Sequence, residues 1–329
     1  MLTRSESGPA SKVTRKVVGI AGFFLGVLLI YLLLNWRTGG RFLSSENIRT
    51  IMTHAVYPTI LALGMSFIFA GGVIDLSIGA KVLLSANVGM ICAYELNLGY
   101  AGLLLGAVLC CIVCQLASTG LIVFLKIPSW IAGLGTALVL EAILAEYSTS
   151  RIRVGRNTVM RVTDELRAFG TMPLMLIVMI VCFVIVFILF NYTRIGVNIQ
   201  AVGSNASVAE TMGVNRKKTL FIAAVIGAIF IGIASVVEVS YATRMEAATG
   251  LSSLSRQFRA LAAVMLAQSI SRIFNNIVGI LISCIVLMSI FNALTMLGVP
   301  SGTWQNVTLG VVIVACDLLA NIGYKGVVK

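Results

Sequence analysis

The chain has 329 residues, of which 59% are apolar and only 11% charged. Soluble globular domains carry roughly 45–50% apolar and about 25% charged residues, so this composition excludes an ordinary soluble enzyme and points to a membrane protein. The formal charge of +12 does not imply nucleic acid as a partner: membrane proteins gather Lys and Arg in their loops, and no basic stretch here alternates with stacking aromatics.

Apolar runs follow one another along the chain. Lys12, Arg15 and Lys16 precede the first, 17–36, which is longer than a signal-peptide core of about 7–15 residues and precedes no small-residue cleavage site. It reads as an uncleaved span. Run 51–70 carries His54 and Pro58, the pattern of a kinked helix with its histidine near an interface. Then come 76–94, 99–125, 129–147, 172–190, 220–241, 258–270, 277–297 and 307–320. A span needs about 20 residues to cross roughly 30 Å of hydrocarbon, so the expectation is an all-α, polytopic membrane protein of about ten transmembrane helices. Most Trp and Tyr residues fall near the ends of these runs, where a ring can bury its body and keep its polar tip wet.

The resulting division is a short tail at 1–16, a membrane domain at 17–320 and a second tail at 321–329, with polar segments at 148–171, 191–219 and 242–257. Five spans on each side of the centre would make the second half the inverse of the first, an arrangement that places a pathway between halves. Lys and Arg divide almost evenly between the two sides, because Arg151, Arg153, Arg156, Arg161 and Arg167 crowd one loop on the nominal outside. Charge counting therefore hardly orients the chain. All seven cysteines lie in or beside apolar runs, without His or acidic neighbours; they are expected to pack, not to bind metal.

Two stretches stand out. In "FAGGVIDLSIGAK" (69–81), Gly71 and Gly72 break one helix, and Asp75 is placed to cap the next by accepting an N–H from Ser77 or Ile78. An ionisable residue at a break inside an apolar region is either a polar lining of a transport route or a plain N-cap in a tight turn; both readings stand. In "AVGSNASVAETMGVNRKK" (201–218), Gly203 and Ser204 suggest a turn, Asn205 or Ser207 an N-cap, Ser207 and Glu210 a capping-box spacing, and Gly213 a left-handed stop. The product is a helix of about two turns followed by Arg216, Lys217 and Lys218, too short to stand alone in water. It needs a surface, either the membrane or a partner. No P-loop, paired carboxylates, H-E-x-x-H or G-x-S-x-G pattern is present, so no enzyme is expected and no ATP hydrolysis by this chain itself.

Taken together, "GGVIDLSIGA", "TRIGVNIQAVGSNASVAETMGVN", "IPSWIAGLGTALVLEAI" and "FNALTMLGVP" resemble, in order, stretches of the permease subunit of monosaccharide ABC importers of the ribose/xylose/arabinose type. Branched-chain amino-acid permeases of the same broad class lack the I-D-L-S-x-G form. The resemblance covers about residues 40–320. It implies a pair of permease subunits, alike or different, in the cell membrane. Two cytoplasmic ABC ATPases would drive it by alternating access, and an extracellular or periplasmic sugar-binding protein would feed it. ATP and Mg would sit on the ATPases, with no cofactor on this chain and membrane lipid around it. The segment 191–219 becomes a cytoplasmic coupling loop, with Gly203, Asn205, Ala209, Glu210 and Gly213 on its ATPase-coupling helix, and both termini become cytoplasmic. Asp75, Ser77, Asn87 and Asn292 are candidates for the solute pathway, and Arg151, Arg153 and Arg156 for docking acidic residues of the binding protein.

One stretch departs from the family. Where it reads roughly L-[DE]-A-I-A-A-V-V-L-G-G-T-S-L, this chain has "FRALAAVMLAQSIS", with Arg259 at the usual acid and Gln268 and Ser269 at usual glycines. That departure points to an unequal partner beside a more typical second permease. The rival reading is an ion-gradient-driven secondary transporter or channel, which needs titratable membrane acids; Asp75, Glu141, Glu238 and Asp317 are the candidates.

Overall fold

The computed structural model describes residues 24–271, 274–299 and 302–321; the expected tail 1–16, the first part of the run 17–36, and the expected tail 321–329 except Asn321, which ends the last helix, lie outside them. All regular structure among the described residues is α- or 3-10-helix. Among the described residues, six helices are long and apolar enough to cross a membrane. Two compact units divide the chain, Thr53–Val264, and Met1–Met52 with Met265–Lys329.

The smaller unit contains α1 (Phe24–Arg37), the first turns of α2 (Ser45–Ala70), the last residues of α10 (Ser255–Ser269), α11 (Asn276–Met296) and α12 (Thr303–Asn321). Asn275 caps α11 by accepting the Ile277 N–H at 3.0 Å. Tyr31 on α1 donates to Ser289 Oγ on α11 at 2.8 Å, so its ring buries while its hydroxyl keeps a partner.

The larger unit holds the rest of α2, α3 (Ile78–Tyr94), α4 (Gly99–Leu125), α5 (Ser129–Arg153), α6 (Leu174–Tyr192), α7 (Arg194–Ser204), α8 (Ala206–Thr211), α9 (Arg216–Ala242) and the start of α10. Small residues set its packing. A Cβ on Gly64 of α2 would lie 2.8 Å from the Gly227 carbonyl of α9, and one on Gly227 would lie 2.9 Å from the Gly64 carbonyl. Such mutual approach is how helices gain dispersion contact in lipid, where burial of apolar surface gives little drive. Phe67 fills the space alongside, with ring centroids 5.5 Å from Phe190 and 6.4 Å from Phe230. The α6 helix keeps only one face inward, and Ile177, Ile180, Val184 and Ile188 are exposed.

Among the described residues, every apolar run coincides with a helix, but the ends move where polar residues continue the coil. The α5 helix runs to Arg153, beyond the expected end at 147, and α2 starts at Ser45, before the expected start at 51. The expected turn at 203–204 is instead the last turn of an unanticipated helix, α7, whose N-cap Thr193 accepts the Gly196 N–H at 3.3 Å. Its short polar periodicity was obscured by Gly196 and Gly203.

Candidate functional site

The break between α2 and α3 begins with two hydrogen bonds. Val73 N–H donates to the Ile68 carbonyl at 3.3 Å and Gly72 N–H to the Phe69 carbonyl at 2.9 Å, with Gly72 at φ +81°. That is a Schellman ending, and it needs a residue that tolerates the left-handed region. Asp75 follows. Its Oδ1 accepts the Ser77 N–H at 2.8 Å and the Ser77 hydroxyl at 2.5 Å, so the expected backbone acceptance is present.

Its other oxygen does something the sequence analysis did not anticipate. Lys81 Nζ lies 2.5 Å from Asp75 Oδ2 and also donates to Gln115 Oε1 at 2.8 Å and Ser118 Oγ at 2.7 Å, both on α4. Gln115 Nε2 donates to Asp75 Oδ2 at 2.9 Å. Asp75, Ser77, Lys81, Gln115 and Ser118 are all 0–1% exposed. All three ammonium protons have acceptors, which is the condition under which a charge survives burial. The spacing of six residues between an acid and a base, both flanked by apolar sequence, was the available signal.

A second irregular segment, between α9 and α10, meets this break. Val162 N–H donates to the Thr243 carbonyl at 2.7 Å beside the arginine-rich loop. Farther along, Asn87 Nδ2 donates to the Met245 carbonyl at 3.0 Å. Glu141 then accepts the Leu251 N–H and the Ser253 N–H, each at 2.9 Å. Gln257 accepts the Gly79 N–H at 3.0 Å and donates to the Leu76 carbonyl at 3.2 Å. Gly79 packs so closely on the Ser253 carbonyl that no Cβ fits. Glu141 is the central residue of α5, a 25-residue helix about 37 Å long, so 251–257 lies near mid-length of the bundle.

The segment around α8 forms at the end of the unit where α2 and α4 finish. Asn205 is the cap, accepting the Val208 N–H at 3.2 Å, so Ser207 and Glu210 lie within the helix and do not frame it. Gly213, at φ +85°, closes a second Schellman ending, with Val214 N–H on the Ala209 carbonyl at 3.0 Å and Gly213 N–H on the Glu210 carbonyl at 3.0 Å. Ala209 is 2% exposed, whereas Val208 and Met212 face outward. Gly203 abuts the Ala70 carbonyl so tightly that a side chain is excluded. Glu210, Arg216, Lys217 and Lys126 join Gly71 and Gly72 around a cavity of about 450 Å³. Arg216, Lys217 and Lys218 open α9, where the helix dipole disfavours cations, so intrahelical stability is not their reason for being there.

The arginine cluster lies at the other end of α5. Arg151 and Arg156 share Glu95 at 3.7 and 3.6 Å, and Arg153 lies 3.5 Å from Glu146. Arg156 also lines a cavity of about 410 Å³ with Arg161 and Arg244, two residues outside the expected docking set. The structure thus brings Asp75 and Ser77 together, and Gly203 against their loop. Asn87 is 3% exposed and holds the 243–254 segment. Asn292 belongs to the smaller unit, with Oδ1 lacking a partner among the described residues. Of the four acids considered for titration, Asp75 and Glu141 are engaged as described, Glu238 lies 3.8 Å from Arg256, and the side chain of Asp317 lies outside the described set.

A family model described as "Branched-chain amino acid transport system / permease component" matches residues 47–316. The chain belongs to this permease family. Relatives of the permease include the ribose import permease protein RbsC of Bacillus subtilis (strain 168), 28% identical over 323 residues, 93% of each chain. The ribose import permease protein RbsC of Escherichia coli (strain K12) is 26% identical over 294 residues, 85% of this chain and 87% of that one. The fructose import permease protein FruG of Bifidobacterium longum (strain NCC 2705) is 26% identical over 306 residues, 89% of this chain and 88% of that one. No solved structure matches. Family and apolar helices together make the permease a multi-pass membrane protein.

Proposed function

We propose that the permease is the membrane-spanning subunit of an ABC importer that moves a sugar or sugar-like solute inward by alternating access, with ATP and Mg held by partner ATPases. The observation that carries this reading is the seating of Gly203 on Ala70. A short, doubly capped helix that presents Val208 and Met212 outward is thereby joined in one contact to the break that carries Asp75. A push on α8 reaches that break through the last turn of α7, which is joined to α8 by Asn205 alone. The sugar import functions in the names of the relatives support the solute class.

In this reading α1–α6 and α9–α12 are ten spans. Helix, irregular segment, helix recurs as α2, 71–77, α3 and as α9, 243–254, α10, and the two irregular segments approach from opposite ends, which supports two inverted five-helix halves. The α8 end and both termini are cytoplasmic. The cavity of Arg156, Arg161 and Arg244 is outside, with Arg151 and Arg153 beside it, and receives acidic residues of a binding protein. Arg259, Gln268 and Ser269 support an unequal second permease.

Co-expression with the neighbouring ATPase and binding-protein genes tests the assembly. The expected result is a co-purified complex whose binding protein, titrated calorimetrically against pentoses, hexoses and nucleosides, selects one of them. A permease that purifies without an ATPase under all conditions contradicts the reading.

A further inference from the structure

The re-entrant segment 249–259 combines two properties that do not coexist on a lipid-facing surface. It lies near mid-depth, because Glu141 at the centre of α5 holds the Leu251 and Ser253 N–H groups and Gln257 ties it to the start of α3. It is also open and mostly polar: Thr249, Gly250, Ser252, Ser255 and Arg259 are exposed, with Phe258 the one large apolar side chain among them. Irregular backbone at hydrocarbon depth is tolerated only where protein buries it or water reaches it. On α5, by contrast, the exposed residues at the same depth are Leu138, Val139, Ala142 and Ile143, all apolar.

The hydroxyls are set to receive. Ser252 Oγ donates to the Thr249 carbonyl at 2.8 Å and Ser255 Oγ to the Ser252 carbonyl at 2.8 Å. Each hydroxyl has used its one proton on backbone, and Ser252 Oγ also accepts the Thr249 N–H at 3.2 Å, so what remains to turn outward is one acceptor lone pair on Ser252 and two on Ser255. Arg259, exposed one turn beyond Ser255, continues the same face. Beneath the strip, the buried Ser253 hydroxyl has no partner among the described residues.

We infer that Thr249, Ser252, Ser255 and Arg259 line the aqueous route at its midpoint. This deepens the importer reading and rests on it for the direction of transport, but not for the wetness of the strip.

The test places Thr249→Cys, Ser252→Cys or Ser255→Cys singly in the full permease with its native cysteines replaced, in membrane vesicles, with Leu138→Cys as the lipid-facing control. The probe is a charged, membrane-impermeant methanethiosulfonate. The thiolate is the reacting form, so the strip positions should label at least about tenfold faster than Leu138→Cys. Labelling as slow as the control overturns the inference. So does disulfide formation between two copies at Ser252→Cys or Ser255→Cys without labelling, which makes the strip a subunit interface. Since no sugar, ATPase or binding protein takes part, failure here leaves the importer reading to its own test.

Discussion

Gly203 closes α7 with its α-carbon against the Ala70 carbonyl, and the fit leaves no room for a side chain. The last turn of α7, which leads directly into α8, is therefore seated on the break that holds Asp75, against both Ala70 and Gly72. Gly203→Ala forces α7 off the break; such overpacking costs about 1–3 kcal/mol. The expected outcome is retained co-purification with the ATPase and an uptake rate lower by about tenfold, equivalent to roughly 1.4 kcal/mol. Undiminished uptake removes the contact from the coupling path.

Lys81 and Asp75 are worth little as a pair but costly apart. Lys81→Met strands a buried carboxylate and is expected to destabilise the permease by about 3–5 kcal/mol. The double variant Lys81→Met/Asp75→Asn should recover most of that loss, which thermal unfolding in detergent measures as a coupling energy. Equal stability of the single and double variants would mean the charges are not paired in the membrane.

Glu141 is expected to act as the clamp of the 249–257 segment. Glu141→Gln keeps one carbonyl acceptor where two N–H groups need one each, at a cost of about 1–3 kcal/mol for the donor left unsatisfied. Amide exchange at Leu251 and Ser253 should quicken while exchange in α4 stays unchanged. Unaltered protection at both would reassign the residue.

Arg153→Glu with Arg156→Glu brings new carboxylates beside Glu146 and Glu95 and reverses charge on one wall of the 410 Å³ cavity. Transport should fall while ATPase assembly is unchanged. Uptake equal to that of the parent would exclude these residues from docking.

Much of this organisation was legible because helix formation in lipid is a local decision. Run 99–125 matches α4 to the residue, and 76–94 exceeds α3 only by Leu76 and the cap Ser77. The caps of α8 were legible too, as Asn205 and Gly213 act within three or four residues of themselves. What stayed hidden depends on distant partners. Gln257 serves Gly79 across 178 positions, and Glu141 serves Ser253 across 112; no periodicity encodes either. Lys81 was visible as a cation inside an apolar run, but only folding brings Gln115 and Ser118 to it. The α7 helix was missed because its amphipathic face spans only three turns and packs on α6 and α9 by tertiary contact, not by propensity.

The most direct test of the account is solute uptake into proteoliposomes holding the permease, its ATPase and, outside, the binding protein. The prediction is uptake of a sugar or close sugar relative that requires lumenal ATP, is absent when a proton or sodium gradient replaces ATP, and falls about tenfold in Gly203→Ala. Uptake driven by either gradient without ATP would contradict the account and establish the secondary-transporter reading in its place.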